Sequence, residues 1–310
     1  SVIAAEMIKR FVLTGEGYSA LKVARIITDN PNSEIVLILT SLDKKGPLVE
    51  FARENDIKLQ HSTKLRSPDI IQWLHNLEGD WFINILSPVI VPIQVLDLFP
   101  GRALNLHTGP LPRYAGMHVH QWGIRNGETS FSATIHQMNA GIDTGDIVVE
   151  SYFKISPIDT GLSLFNKVVR SGVELFEQII VDIIQEKKIS GRSQNISNRH
   201  YYHHSDALDG RINWEWSSST IVNFIRAGNY KPFISPTYTA TLDGDIMIFS
   251  AEIDKPSSKK VGELIELTDL GPRISCGNNE SVKITSAERN AQKMDINTWN
   301  QYFKSIVNHD

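Results

Sequence analysis

A single cysteine, Cys276, stands in 310 residues. No intrachain disulfide can form, and such usage fits a reducing compartment, so a cytoplasmic location is expected. Positive charge is also in short supply: 31 Lys and Arg against 35 Asp and Glu leave a net charge of −4. Proteins that hold nucleic acid present a basic face, so nucleic acid is not expected as a partner. No apolar run approaches the roughly 20 residues a membrane helix needs, which excludes a spanning helix. Ser1 to Glu6 supply neither a basic start nor an apolar run long enough for a secretory signal. Met7 can serve as the natural start, which would make the residues before it a remnant.

What is present suits a folded chain with a proper core. Hydrophobic residues make up 41%, and the length accommodates two domains at about 150 residues each. Phe11 to Thr14 reads as a buried strand, followed by a glycine turn and a helix to about Thr28. Ile35 to Thr40 is continuously apolar, as strands of a parallel sheet covered on both faces are. Helical patterns at 47–55 and 68–77, a strand at 81–86 and a short helix at 95–99 continue the alternation. That rhythm argues an α/β fold with a doubly wound, mostly parallel sheet. The turn, Gly15-Glu16-Gly17-Tyr18-Ser19-Ala20, has the form G-x-G-x-x-A, and Asp43 follows the second strand. A nicotinamide oxidoreductase therefore enters as one reading. The plainer one is a strand-to-helix turn common to such sheets, with room for a substrate phosphate at the helix N-terminus.

Residues 104–149 carry the chemistry. The strand ending Leu104-Asn105-Leu106-His107 puts Asn105 and His107 on one face, because strand side chains alternate. Ligand sites in open α/β sheets lie beyond the carboxyl ends of strands. A second alternating run, Ser130 to Met138, leads into the turn-rich loop Asn139 to Asp146, and an aspartate from it could join the pair. Two other readings compete. Asn105 could cap a turn while His107 is a satisfied core histidine, or His107, His118 and His120 with Asp143 or Asp146 could hold zinc. Positions two apart diverge on a helix and Asn is a poor zinc ligand, so no metal is expected.

The order and spacing of Asn105-Leu106-His107, Leu111-Pro112-Arg113-Tyr114-Ala115-Gly116 and Gly141-Ile142-Asp143-Thr144-Gly145 resemble the N10-formyltetrahydrofolate-dependent formyltransferases. The chain departs from that family at Gly109 and Pro110, where serine and leucine are usual. The resemblance implies that Asn105, His107 and Asp143 are the catalytic trio and N10-formyltetrahydrofolate the cosubstrate. It places the pterin slot between Leu86, Ser87, Val89 and Ile90 and the loop Asn139, Ala140, Gly141 and Ile142. Gly15, Gly17 and Tyr18 of the turn, with Arg113 and Gly116 of the loop, are then candidate contacts to the acceptor substrate. Formyl transfer to an amine needs a donor for the developing oxyanion and a base for the amine proton. A carboxamide supplies the first and an imidazole the second. A neighbouring carboxylate would orient the ring and favour the imidazolium.

Two features bear on the amine. Leu162 to Lys188 is an amphipathic core helix whose apolar stripe includes Gly172, a residue expected to allow close packing on the sheet. A boundary near Ser205 divides a catalytic domain, 1–204, from 205–310, where five short strands with turn signals suggest a small OB-like barrel. Its entry, Asp209 to Trp214, resembles the C-terminal domain of methionyl-tRNA and amino-sugar formyltransferases. The tRNA enzymes of that family carry a basic insertion after the second strand. Here the matching piece, Thr40 to Pro47, has two adjacent lysines only. A nucleotide-linked amino sugar for surface polysaccharide is thus the expected acceptor, tRNA the alternative. A base could stack on Tyr18, Trp122, Tyr201 or Tyr230. A homodimer stays open.

Overall fold

The computed structural model describes residues 7–42, 45–207, 209–233, 237–241 and 244–307. Asp43, invoked with the glycine turn, lies outside them, as do Ser1 to Glu6. Two compact units share the chain. The first comprises Ser1–Gly116, Ser132–Phe153 and Lys167–Tyr201, and the second Met117–Phe131, Lys154–Asn166 and Tyr202–Asp310.

The first unit opens with β1 (Lys9–Gly15), α1 (Gly17–Thr28), β2 (Ser33–Thr40), α2 (Pro47–Glu54) and β3 (Leu59–His61). It continues with α3 (Ile70–Leu77), β4 (Trp81–Ile85), α4 (Ile93–Leu96) and β5 (Ala103–His107). These strands lie in the order β3-β2-β1-β4-β5 and are all parallel. After the two-residue strand β6 (Ala115–Gly116) and α5 (Val119–Arg125), the chain supplies β7 (Ser130–Gln137) and β8 (Ile147–Lys154). β7 joins β5 antiparallel and β8 lies beyond it, giving seven strands, mostly parallel. Val12, Leu37, Leu39 and Phe82 from the strands pack with Leu65, Leu74, Val95 and Phe99, which is why these strands read as unbroken apolar runs.

Two glycines let backbone come close. A Cβ on Gly15 would stand 2.6 Å from the carbonyl oxygen of Ile85. Strand packing therefore accounts for Gly15 without any ligand. In α6 (Gly161–Ile184), Gly172 meets the Leu106 side chain, where a Cβ would be 2.4 Å from Cδ1. The expected tight approach of this helix to the sheet is found, and it presses on the strand that carries the candidate site.

The second unit is built on an antiparallel sheet. After β9 (Tyr201–Tyr202), α7 (Ser218–Ala227) starts where the Ser217 hydroxyl accepts the Thr220 N–H as its cap. Then follow β10 (Tyr238–Thr239), β11 (Ile246–Ile253), β12 (Leu264–Thr268), β13 (Gly271–Cys276), β14 (Glu280–Arg289), β15 (Gln292–Lys293) and α8 (Ile296–Val307). The path is β10-β11-β14-β13-β12 with β15 on β14. Ile221 and Ile225 of α7 close its core against Ile246, Ile248, Val282, Ile284 and Trp299. The five expected strands are all represented. Among the described residues no helix is long and apolar enough to cross a membrane.

Candidate active site

β5 ends in His107, and the chain then turns through residues 108–114. Thr134 of β7 donates its hydroxyl to the Gly109 carbonyl at 2.8 Å, and the Tyr114 N–H reaches the Pro110 carbonyl at 2.9 Å. The loop at the two departures from the family pattern is thus tied at both residues. It delivers the Tyr114 carbonyl to His107, whose Nε2–H donates to it at 2.5 Å. On the other side of the ring, Nδ1 lies 3.5 Å from Oδ1 of Asp143. Both ring nitrogens therefore face acceptors, and a neutral imidazole can satisfy only one of them by donation.

Asp143 arrives by a different route. Because β7 runs antiparallel to β5, it ends beside Leu104, and the loop beyond folds back toward His107. Asp143 adopts φ 54°, the left-handed region that Asp tolerates better than most residues. Its Oδ2 accepts the Gly116 N–H at 3.0 Å. Gln194 clamps the loop from outside, donating to the carbonyls of Asp143 and Gly145 at 3.0 and 2.7 Å. Asn139 closes the loop on itself by accepting from the Gly141 N–H and the Thr144 hydroxyl. A Cβ on Gly145 would fall 1.7 Å from the Gln137 carbonyl oxygen. Gly145→Ala must shift this loop and Asp143 with it. We expect kcat to fall about a hundredfold, the scale of an ångström-size misplacement, with circular dichroism unchanged; wild-type turnover would show that Asp143 is not needed in place.

Electrostatics separate the two partners. Burial is the largest influence on His107 and lowers its pKa; Asp143 and the Tyr114 carbonyl only partly offset it. Desolvation thus outweighs the adjacent carboxylate and favours the neutral ring. A neutral ring with a bare Nδ1 is what a base requires. Burial likewise pushes Asp143 up, but the charge of a protonated His107, the neighbouring His136 and the Gly116 N–H outweigh it, and its pKa falls below the usual carboxylate range. Asp143 is thus a carboxylate anion beside the His107 ring.

Asn105 lies half-buried on β5 directly opposite His136 of β7, and its Nδ2 is 3.0 Å from His136 Nε2. His136 also stands 3.4 Å from Asp143 Oδ1. So the structure gathers Asn105, His107 and Asp143 with Gly116, and adds His136 and Gln194, which the sequence reading passed over. His136 was within reach of the alternation argument: it shares a face of its strand with Ser132 and Thr134. Gln194 acts through backbone carbonyls and leaves no pattern to find.

The other candidates fall out differently. Leu86 sits at φ 59°, an uncommon conformation for a branched residue, at the carboxyl end of β4 beside β5. Ser87 receives the Val89 N–H on its hydroxyl, and Val89 itself belongs to the core. Ile90 and Ile142 remain exposed, so the two segments still offer apolar surface. Arg113 lies over its neighbour Tyr114 at 5.5 Å. Gly17, at φ 71°, and Tyr18 face solvent at the start of α1, where the Glu16 carboxylate accepts from Thr40 and the Ser41 N–H. That carboxylate is engaged with the end of β2 and makes no side-chain cap on α1. Of the stacking candidates, Trp122 stacks on Tyr202, Tyr201 packs with Leu111, Ala115 and Ile147, and Tyr230 hydrogen-bonds His120.

His118 pairs with His204 at 2.8 Å and His120 with Tyr230. Among the described residues no three His, Cys, Asp or Glu side chains are placed to hold a metal ion.

Comparison with known proteins bears on the same residues. A family model described as formyl transferase matches residues 12–180, and one described as formyl transferase, C-terminal domain, matches 205–304. A methionyl-tRNA formyltransferase from Clostridium tetani is 31% identical over 232 residues, 74% of each chain. An N-formyltransferase structure from Helicobacter canadensis, in complex with folinic acid and dTDP-3-aminofucose, has a TM-score of 0.70 at 21% identity, covering 93% of this chain and 100% of the other. A sugar 3N-formyltransferase structure determined with dTDP and 5-N-formyl-THF gives 0.69 at 22% identity, covering 93% and 98%. At such identities the structural likeness concerns the fold.

Proposed function

This chain belongs to the formyl transferase family and is a formyltransferase, and from that premise we propose that it moves the formyl group of N10-formyltetrahydrofolate to the primary amine of a nucleotide-linked amino sugar. The observation that carries the choice of acceptor is the connection between β2 and α2. It consists only of Ser41 to Gly46, in a chain of net charge −4. Binding tRNA rests on neutralising phosphates, and this connection offers little to do so. The solved sugar N-formyltransferases share the fold over 93% of this chain. A second reading, transfer to initiator tRNA, is favoured by the names of the curated relatives. In either case residues 1–204 would carry catalysis and 205–310 an accessory role.

Asn105 is assigned the developing oxyanion. A positioned amide donor contributes typically about 3–4 kcal/mol to such a step. His107 accepts the amine proton at Nδ1, where Asp143 stabilises the charge that forms, and returns it to N10 as the bond between the formyl carbon and N10 breaks and tetrahydrofolate leaves. No covalent bond to the protein is needed. Leu86, Ser87, Ile90 and residues 139–142 would hold the pterin through backbone and aliphatic contacts. Gly17, Tyr18, Arg113 and Gly116 are assigned to the acceptor side.

Incubation with N10-formyltetrahydrofolate and a panel of dTDP- and GDP-linked amino sugars, followed by mass detection, tests the proposal. A gain of one formyl group is expected on a sugar nucleotide; formylation of charged initiator tRNA alone, with steep salt dependence, would overturn it. Tetrahydrofolate should also raise the melting temperature by linkage while NADH does not. The reverse result would revive the dinucleotide reading of the glycine turn.

A further inference from the structure

His136 has no step in the chemistry above, yet it touches two of the three residues that do. It is buried in β7, in register with Asn105. Its Nδ1 lies 2.8 Å from the Gln137 carbonyl. A carbonyl can only accept, so Nδ1 carries a proton, and in a neutral ring Nε2 is then a bare lone pair. That lone pair receives the Asn105 carboxamide N–H at 3.0 Å. A carboxamide has two orientations related by a flip, and only one of them places N–H on an unprotonated ring nitrogen. The flipped form would set oxygen lone pairs against a nitrogen lone pair. Asp143 Oδ1 stands 3.4 Å from the same Nε2. A proton on Nε2 would turn the ring toward that carboxylate and leave the Asn105 N–H facing another N–H.

We propose that His136 is a positioning residue for formyl transfer, a ring anchored by Nδ1 on the Gln137 carbonyl whose Nε2 fixes the Asn105 carboxamide with its second N–H free for the oxyanion. The proposal rests on the assignment of Asn105 to that oxyanion. The chain of fixation runs from the Gln137 carbonyl through the ring to the amide. Each link is a directed hydrogen bond, so the donor's direction is set before any substrate arrives. Preorganisation of this kind is what makes a single amide effective, since a donor that must reorient at the moment of reaction loses much of its value.

Nitrogen NMR of histidine-labelled protein, with the His136 signal assigned through its loss in His136→Phe or His136→Gln, tests the tautomer directly. At pH 7.5 we expect a protonated Nδ1 and a bare Nε2; a proton on Nε2 would overturn the proposal whatever the turnover. The Asn105 side-chain N–H should exchange slowly with solvent in the wild type and faster in His136→Phe. With dTDP-3-aminofucose as probe amine, His136→Phe should lower kcat about 10- to 100-fold and leave the KM for the folate within about threefold. His136→Gln, which keeps an acceptor near the Nε2 position, should recover part of the loss. Added to Asn105→Ala, His136→Phe should cost less than about threefold more, because one residue acts through the other. Full multiplicative losses would show that His136 works independently of Asn105, and the proposal falls while the role of Asn105 stands. Wild-type turnover in Asn105→Ala alone would instead remove the oxyanion assignment beneath it. Should His136→Phe fail to fold, the wild-type tautomer and the Gln variant still decide.

Discussion

His107→Asn is expected to lower kcat by at least two orders of magnitude with little change in unfolding free energy. The ring's Nε2–H is anchored on the Tyr114 carbonyl, so its Nδ1 is the nitrogen left to take a proton, and Asp143 is the charge that steadies it. Loss of a positioned base typically costs about a hundredfold to ten-thousandfold. Asn105→Ala removes the oxyanion donor and should cost about a hundredfold to a thousandfold. Asp143→Asn keeps the shape of the loop but leaves the proton on His107 without its counter-charge, and a loss of about a hundredfold is expected. On the proposed assignment the three act on one transition state, so the triple variant should be little worse than the worst single one. Burial lowers the pKa of His107, so its neutral form already prevails at neutral pH. The acid limb of kcat/KM that belongs to it should lie below pH 6.5 and vanish in His107→Asn. Near-wild-type turnover in His107→Asn, with activity abolished by Asp146→Asn, would require the site to be redrawn around Asp146.

Much of this was legible in the sequence, for reasons that differ from residue to residue. The parallel sheet announced itself because β2 must be apolar on both faces, and Ser33–Thr40 is nearly so. Asn105 and His107 were legible as a pair because a strand has period two. Asp143 followed from the loop that family resemblance put in register. His136 was hidden by its company, since one imidazole in an alternating strand looks like any buried polar residue until its partner is seen across the sheet. The depth of burial that lowers the pKa of His107 was not legible, because a sequence shows the neighbouring carboxylate but not the desolvation that outweighs it. Gly15 shows the opposite failure, a glycine that matched a ligand-binding pattern and is explained by the Ile85 carbonyl packed against it.

The largest stability effect is expected at His120, in the second unit. Its ring is buried against Phe165, and its Nε2 pairs with the Tyr230 hydroxyl, which also accepts from Gln121 at 3.1 Å. Burial, with His118 adding to it, drives its pKa from 6.5 down to about 3. The sign follows from which state binds the proton. Between pH 6.5 and about 3 the unfolded chain protonates this histidine and the folded chain does not. Its contribution is therefore intact above pH 6.5 and declines as the pH falls toward 3, by about 1.4 kcal/mol per pH unit. From pH 7 to pH 5 that amounts to about 2 kcal/mol. His107 and His118 are shifted in the same direction and steepen the acid loss, whereas Asp143, whose pKa is lowered from 3.8, matters only below that value. His120→Phe keeps a ring of similar size and cannot titrate. Denaturant unfolding followed by tryptophan fluorescence at pH 7, 6 and 5 should show this variant losing about 2 kcal/mol less than the wild type over the interval. Parallel curves for the two proteins would mean that His120 takes up its proton inside the fold, and that the pocket around Tyr230 is wetter than its burial implies.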